Sequence, residues 1–223
     1  MKIQFDFLAV LSDSGLLLKG VAWTLCLTAV AMAIGTVVGV ACAWVRSSGP
    51  RRLRWLAAGY VELIRNTPFI VQLFFIFFGL PAMGIKLSPV TASLLAMTLN
   101  LGAYATEIIR AGIEATPRGQ IEAAQSLAMD RMQVFTRVVL PPALRKVWPA
   151  LVSQIIIVML GSAVCGQIAT EELSYAANLI QSRNFRAFES FIVATLIYLG
   201  LAMALRRLLN WAGPRYLFGH GAC

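Results

Sequence analysis

Two pairs of charged residues lie within otherwise apolar stretches of the sequence. They are Glu62 with Arg65, and Glu107 with Arg110, and each pair is three residues apart. Residues at this spacing share one face of a helix, so each acid can bond to its base. Charges in such stretches mark either ion pairs or the path of a polar solute. We expect local structural or gating ion pairs, or residues bordering a translocation path, and both interpretations stay open.

Uncharged polar residues lie close to these charges and extend the candidate set. Pro68 removes a backbone hydrogen bond, so it predicts a kink where the helix lines a pore. The remaining polar side chains either face a solute path or form hydrogen bonds between helices. The candidates for a translocation path or gate are Glu62, Arg65, Thr67, Pro68, Gln72, Asn100, Tyr104, Glu107, Arg110 and Ser162.

Residue sets for catalysis or metal binding are missing from the sequence. His220 is the only histidine, and the four cysteines, Cys26, Cys42, Cys165 and Cys223, show no CxxC spacing. No Gly-rich loop ending in Gly-Lys-Ser/Thr is present, so the chain does not hold ATP in that manner. We therefore expect no enzyme activity, no catalytic or metal-binding residues and no cofactor bound by this chain.

The composition is that of an integral membrane protein. Of 223 residues, 59% are hydrophobic and 13% charged, and the mean hydropathy is +0.75. Soluble chains are about 45–50% apolar and about 25% charged, so the excess apolar surface must face lipid. The net charge of +9 is explained by membrane topology, and nucleic-acid binding is not expected.

Five apolar stretches predict an all-α membrane protein with about five transmembrane helices. The predicted spans are approximately 16–45, 55–80, 87–113, 145–168 and 187–209, within a single transmembrane domain covering 1–223. Acidic Asp6 and Asp13 precede the first span, so a cleavable signal peptide is not expected. Most Lys and Arg lie in the segments that follow spans 1, 3 and 5. The positive-inside rule then places the N-terminus outside and the C-terminus in the cytoplasm.

The longest cytoplasmic segment, 112–146, contains a predicted short helix at approximately 119–132. Thr116-Pro117 is typical of a helix start, and the helix formers end well before Pro141-Pro142. The apolar residues of this segment are spaced so that they share one face of a helix. Such a face favours packing against the bundle or the membrane surface. They are Ile121, Ala124, Leu127, Ala128 and Met132.

The same segment resembles the EAA loop of permease subunits in bacterial ABC importers. Glu122-Ala123-Ala124 is followed after three residues by Ala128 and after nine more by Val138-Val139-Leu140-Pro141. The family pattern has Gly at position 128 and Ile at position 138, and small side chains here would set how closely a partner approaches. Segments 62–68, 72–75, 79–81 and 102–113 resemble the polar amino acid branch of these permeases.

The resemblance implies a permease that moves a polar amino acid across the bacterial inner membrane. Two separate ATPase subunits would bind ATP and Mg, and a second permease subunit, identical or different, and an external solute-binding protein would complete the assembly within membrane lipid. An ion-coupled carrier or channel acting without an ATPase is the alternative. The resemblance assigns ATPase coupling to Gly119, Glu122, Ala123, Ala124, Ala128, Leu140 and Pro141.

Span 4 lacks a charged pair that many similar permeases carry. Where they have Lys-Asp, this sequence has Leu160-Gly161, directly before Ser162. An amino acid carries both an ammonium and a carboxylate group, and removing water from either is costly without a compensating partner. We expect span 4 of this subunit to contribute less to a substrate site than a partner subunit does.

The predicted topology can be tested by labelling single cysteines in a background without the four native ones. A cysteine at Arg51 should react with an impermeant thiol reagent only from the cytoplasmic side, and one at Lys86 only from outside. Reaction of both from the same side would contradict the five-span arrangement.

Overall fold

The computed structural model describes residues 5–217, which are almost entirely helical and include no strand. Lys2, His220 and Cys223 lie outside the described residues. Four helices are long and apolar enough to cross a membrane, and a bent pair of helices makes a fifth candidate. The predicted all-α membrane fold is therefore confirmed.

Nine helices, named here in chain order, make up the described part of the chain. Within α4, Phe75–Gly79 is π-helical; within α7, Val134–Val139 is π-helical and Ser162–Ile168 is a 3₁₀-helix. The helices are α1 (Leu8–Leu11), α2 (Ser14–Ser48), α3 (Arg51–Arg65), α4 (Phe69–Ala82), α5 (Pro89–Glu114), α6 (Arg118–Ser126), α7 (Arg131–Ile168), α8 (Leu173–Asn184) and α9 (Ala187–Ala212).

The contact between α2 and α5 is built on small residues. Ala31, Gly35, Gly39 and Ala43 recur every four residues along α2, and all four are buried. A Cβ atom placed on Gly39 would lie 2.6 Å from the Cβ of Ala105 in α5. Small residues at this spacing let two helix backbones approach closely in a membrane, where van der Waals contact drives association.

Span 2 is broken: the kink predicted at Pro68 is large enough to divide the span predicted at 55–80 into two helices. Helices α3 and α4 meet at 109° around Pro68, a far larger bend than the predicted kink. The break frees carbonyl groups at the end of α3, which need hydrogen-bond donors where water is scarce. Two side chains supply them: the Thr67 hydroxyl donates to the Leu63 carbonyl at 2.8 Å and the Gln72 amide to the Ile64 carbonyl at 2.7 Å. The Asn66 amide adds a second donor to the Glu62 carbonyl at 2.8 Å, which also accepts the Asn66 N–H at 3.1 Å.

Helix α8 was not predicted, and a buried carboxylate holds it in place. Glu172 is fully buried, accepts a hydrogen bond from the backbone N–H of Tyr175 at 2.8 Å and bonds to the hydroxyl of Tyr198 in α9. Burial raises the pKa of the Glu172 carboxyl, and the hydrogen bonds that it accepts oppose this rise. At Gly20 in α2, a Cβ atom would lie 2.8 Å from the Leu173 Cα. Glu172 therefore joins α8 to α9, and the close approach of Gly20 to Leu173 joins α8 to α2.

The small-residue contact predicts a position-dependent cost for enlarging a glycine. Gly39→Leu should lower the detergent-solubilised protein's Tm, because overpacking costs about 1–3 kcal/mol or more. Gly200→Leu in α9 is the matched control, since a Cβ there meets no atom within 4 Å. Equal Tm values for the two variants would show that the α2–α5 contact is not tightly packed.

Candidate functional site

The end of α6 explains the residue type at position 128. Ala128 adopts a left-handed conformation, with φ of 57°. Its N–H bonds to the Gln125 carbonyl at 2.9 Å, and the Met129 N–H bonds to the Ala124 carbonyl at 3.3 Å. This hydrogen-bond pattern ends many helices and favours glycine at the left-handed residue. The preference for Gly at this position therefore has a backbone cause, whereas the sequence interpretation assigned it to the approach of a partner.

The single helix predicted at 119–132 is wrong, because α6 stops and α7 begins within that range. Asp130 and Gln133 form a reciprocal cap: the Gln133 N–H donates to Asp130 at 2.8 Å and the Asp130 N–H to Gln133 at 3.0 Å. Leu127, which was predicted to pack against the bundle or the membrane surface, is 78% exposed and so does not pack against the bundle. Met132 is also exposed. Neither residue continues the apolar face of α6.

Helix α6 has an inner and an outer face. On the inner face, Ile121 and buried Ala124 pack in one cluster with Val134, Phe135 and Val139 of α7. We call these five residues the loop cluster. Because Ala124 is enclosed within this chain, its predicted contact with an ATPase is corrected to a contact with α7.

The outer face of α6 carries the exposed residues of the loop motif. Gly119, Glu122 and Ala123 are all exposed and lie opposite the inner face. Leu140 is half-buried against the loop cluster, and Pro141 is exposed where the straight α-helical part of α7 begins. Some of the predicted coupling residues therefore lie on an exposed surface, and the others pack within the chain beneath that surface.

Several predicted path residues come together on one side of α5. Asn100, Tyr104 and Glu107 share a face of this helix and remain partly exposed. The Asn100 amide donates to the Gln72 side chain at 3.4 Å, and the Arg65 guanidinium lies 5.3 Å from the centroid of the Tyr104 ring. We call Arg65, Gln72, Asn100, Tyr104 and Glu107 the polar face.

Glu107 is the centre of an ion-pair cluster. Its carboxylate bonds to Arg46 of α2, to Arg110 at 2.8 Å and to Arg65 of α3 at 3.9 Å. Only 17% of the Glu107 side chain is exposed, and Arg110 also pairs with Glu114. The predicted pairing of Glu107 with Arg110 is confirmed, and the carboxylate joins three helices.

Two other predicted path residues make different contacts. Glu62 does not pair with Arg65, and instead accepts a hydrogen bond from the Asn66 amide at 2.9 Å. Ser162 is fully buried, and its hydroxyl donates to the Met159 carbonyl at 2.6 Å. The prediction that Ser162 lines the path is therefore corrected: this hydroxyl bonds to the backbone of its own helix.

The positions of the missing charges in span 4 face an open surface. Leu160 is 42% exposed, and a Cβ atom on Gly161 would meet no other atom within 4 Å. Side chains longer than those present would fit at both positions. Space therefore does not exclude charged side chains from this surface of α7. The surface is apolar only because the residues present, Leu160 and Gly161, are apolar.

Sequence reasoning missed Arg46 and Glu172 as site-forming residues. Arg46 was counted only as one of the basic residues that set the topology, although it bonds to Glu107 across 61 positions of sequence. Glu172 directly precedes a helix, and acidic residues favour that position. The position of Glu172 before a helix could therefore have been inferred from the sequence. The partner of Arg46 could not, because it depends on how α2 packs against α5.

Comparison with known proteins identifies the family. Residues 35–217 match the family described as binding-protein-dependent transport system inner membrane component. The chain belongs to this family. It is 38% identical over 197 residues to the L-cystine transport system permease protein TcyB of Bacillus subtilis, covering 88% of this chain and 82% of that protein. It is 36% identical to the nopaline transport system permease protein NocM of Agrobacterium fabrum, covering 94% and 92%.

A solved structure supports the same assignment for this permease. The crystal structure of an amino acid ABC transporter with histidines matches with a TM-score of 0.85 and 35% identity, covering 96% of this chain and 100% of that one. Membership in a family of binding-protein-dependent permeases favours an ABC importer component of the inner membrane over an ion-coupled carrier or channel.

The ion-pair cluster predicts unequal effects for two similar substitutions in this permease. Glu107→Gln should destabilise the protein by about 1.5–3 kcal/mol, because charged hydrogen bonds are lost and three arginines are left facing one another. Glu114→Gln is the control, since Glu114 is 60% exposed and pairs with Arg110 alone; exposed pairs contribute about 0–1 kcal/mol. Thermal unfolding of the two variants in detergent measures the difference. Equal shifts would show that Glu107 does not hold the three helices together.

Proposed function

We propose that this permease moves a polar amino acid into the cytoplasm, driven by ATP hydrolysis in separate subunits docked on α6. The outer face of α6 carries this proposal. It presents an acidic residue between two small ones, which allows close approach of a partner surface and one directed charge contact. The matching transporters with amino acid names support the substrate class.

The inner face of α6 provides the mechanical link to the spans. Ile121 and Ala124 pack on α7, which continues as span 4, and the loop cluster also contacts Ile113 at the end of α5. Val40 and Trp44 of α2 pack against the same cluster. A displacement of α6 by an ATPase would therefore move the cytoplasmic ends of α2, α5 and α7 together, because close-packed interiors transmit strain.

The solute path in this proposal runs beside the polar face and the α3–α4 break. Arg65 and Glu107 provide charges there, and Gln72 and Asn100 provide amides. The open surface at Leu160 and Gly161 offers no charge for a substrate ammonium or carboxylate. A second permease subunit that carries charged residues at those positions would complement this one, which favours a heterodimer.

The assembly proposed here contains this chain, a second permease subunit, two ATPase subunits that bind ATP and Mg, and an external solute-binding protein. The N-terminus faces outward and the C-terminus faces the cytoplasm, which places α6 on the side where ATP is available. Exposed Arg51, Arg52 and Arg54 at the start of α3 lie on that same side, in agreement with the positive-inside rule.

The docking role of Glu122 gives a direct test. Glu122→Lys should leave the chain inserted and folded, because the side chain is exposed, but should weaken ATPase association or separate ATP hydrolysis from uptake. A like-charge contact in an interface costs on the order of several kcal/mol. Co-purification of the ATPase and substrate-stimulated hydrolysis in proteoliposomes measure the two effects.

Glu171→Lys is the matched control, with the same charge reversal at an exposed site near the outer end of α2, where Glu171 pairs with Lys19. It should retain normal ATPase association. Normal association and normal coupled uptake in Glu122→Lys would remove α6 from the ATPase contact.

A further inference from the structure

A cavity of about 440 Å³ lies between α6 and the cytoplasmic ends of two spans. Ser47 and Ser48 are the last residues of α2, and Ile113 is the residue before the end of α5; all three line the cavity. Known ligand sites have volumes of about 300–1,000 Å³. The proposed docking of an ATPase on the outer face of α6 does not use this space, which lies on the opposite side.

The walls of the cavity have two chemical characters. Ile113, Phe135 and Val139 form an apolar part, whereas Ser47, Ser48 and Arg131 contribute hydroxyls and a positive charge. Arg131 is exposed and takes part in none of the ion pairs between described residues. An occupant that matches both parts has an apolar body and an anionic group.

We propose that this cavity binds one anionic phospholipid of the inner leaflet. Arg131 and the hydroxyl of Ser48 hold the phosphate, and the apolar wall holds the first carbons of an acyl chain. The location favours a lipid over free phosphate, because the cavity opens where two spans end and a soluble anion has no use for the apolar wall. Basic residues at this level attract anionic lipids.

The bound lipid would strengthen the contact between α6 and the spans. The walls come from α2, α5, α6 and α7, so one occupant contacts every helix that the proposed mechanism moves together. This inference rests on the orientation proposed above, which cysteine labelling tests independently of any lipid measurement.

The test uses the assembled transporter, with its ATPase subunits, after removal of lipid in detergent. Phosphatidylglycerol is added, and native mass spectrometry counts the bound lipid. Arg131→Gln should raise the apparent Kd for one bound lipid roughly fivefold, the effect expected for one arginine at a lipid surface. Arg137→Gln is the matched control, because Arg137 is exposed on the same helix, α7, and does not line the cavity; its Kd should equal that of the unaltered protein.

A cavity-filling variant and two competing ligands distinguish a specific lipid site from general attraction to a basic surface. Ser48→Trp, which fills the cavity from its polar side, should abolish the same binding event, while phosphatidylcholine and inorganic phosphate should fail to displace phosphatidylglycerol. Equal weakening in both arginine variants would overturn the proposal, since it would show diffuse attraction to the basic surface. Displacement by inorganic phosphate would reduce the site to a simple anion site. Absence of a bound phosphatidylglycerol from the assembled transporter would likewise overturn the proposal, because the ATPase would then fill or close the cavity.

Discussion

The absence of water from the hydrocarbon interior is the constraint on which this structure depends, because each carbonyl released from a helix needs another donor. At the α3–α4 break, Thr67 and Gln72 supply those donors. The break also places Arg65 beside α5, within reach of Glu107. The loss of backbone hydrogen bonds at the 109° bend therefore accounts for polar side chains that surround it.

Lipid gives helices no hydrophobic driving force to associate, so packing and charge must hold them together. Helix α2 packs closely on α5 at Gly39, and Arg46 of α2 pairs with Glu107 of α5. The loop cluster then fastens α6 to the same pair of helices and to α7. Helix α6 is thus packed against the spans on one face and exposed on the other, as the proposed mechanical connection to an ATPase requires.

Much of the fold could be predicted from the sequence, since the apolar length of a segment is a local property. The Glu107–Arg110 pair was likewise visible from its spacing of three. The size of the bend at Pro68, the end of α6 at Ala128 and the role of Arg46 could not be predicted, because each depends on backbone geometry or on contacts between distant segments. Ser162 shows the opposite error: a polar residue in a span was read as lining a path, although its hydroxyl bonds to the Met159 carbonyl.

The central claim is that α6 and the adjoining ends of α2, α5 and α7 move as one body during the ATP cycle. Spin labels at the exposed positions Gln120 in α6 and Ser48 at the end of α2 report the distance within this chain, and a label on the second permease subunit reports the distance between subunits. We expect ATP binding to change the distance between subunits and to leave the Gln120–Ser48 distance unchanged. A change in the Gln120–Ser48 distance, with the distance between subunits constant, would contradict the account.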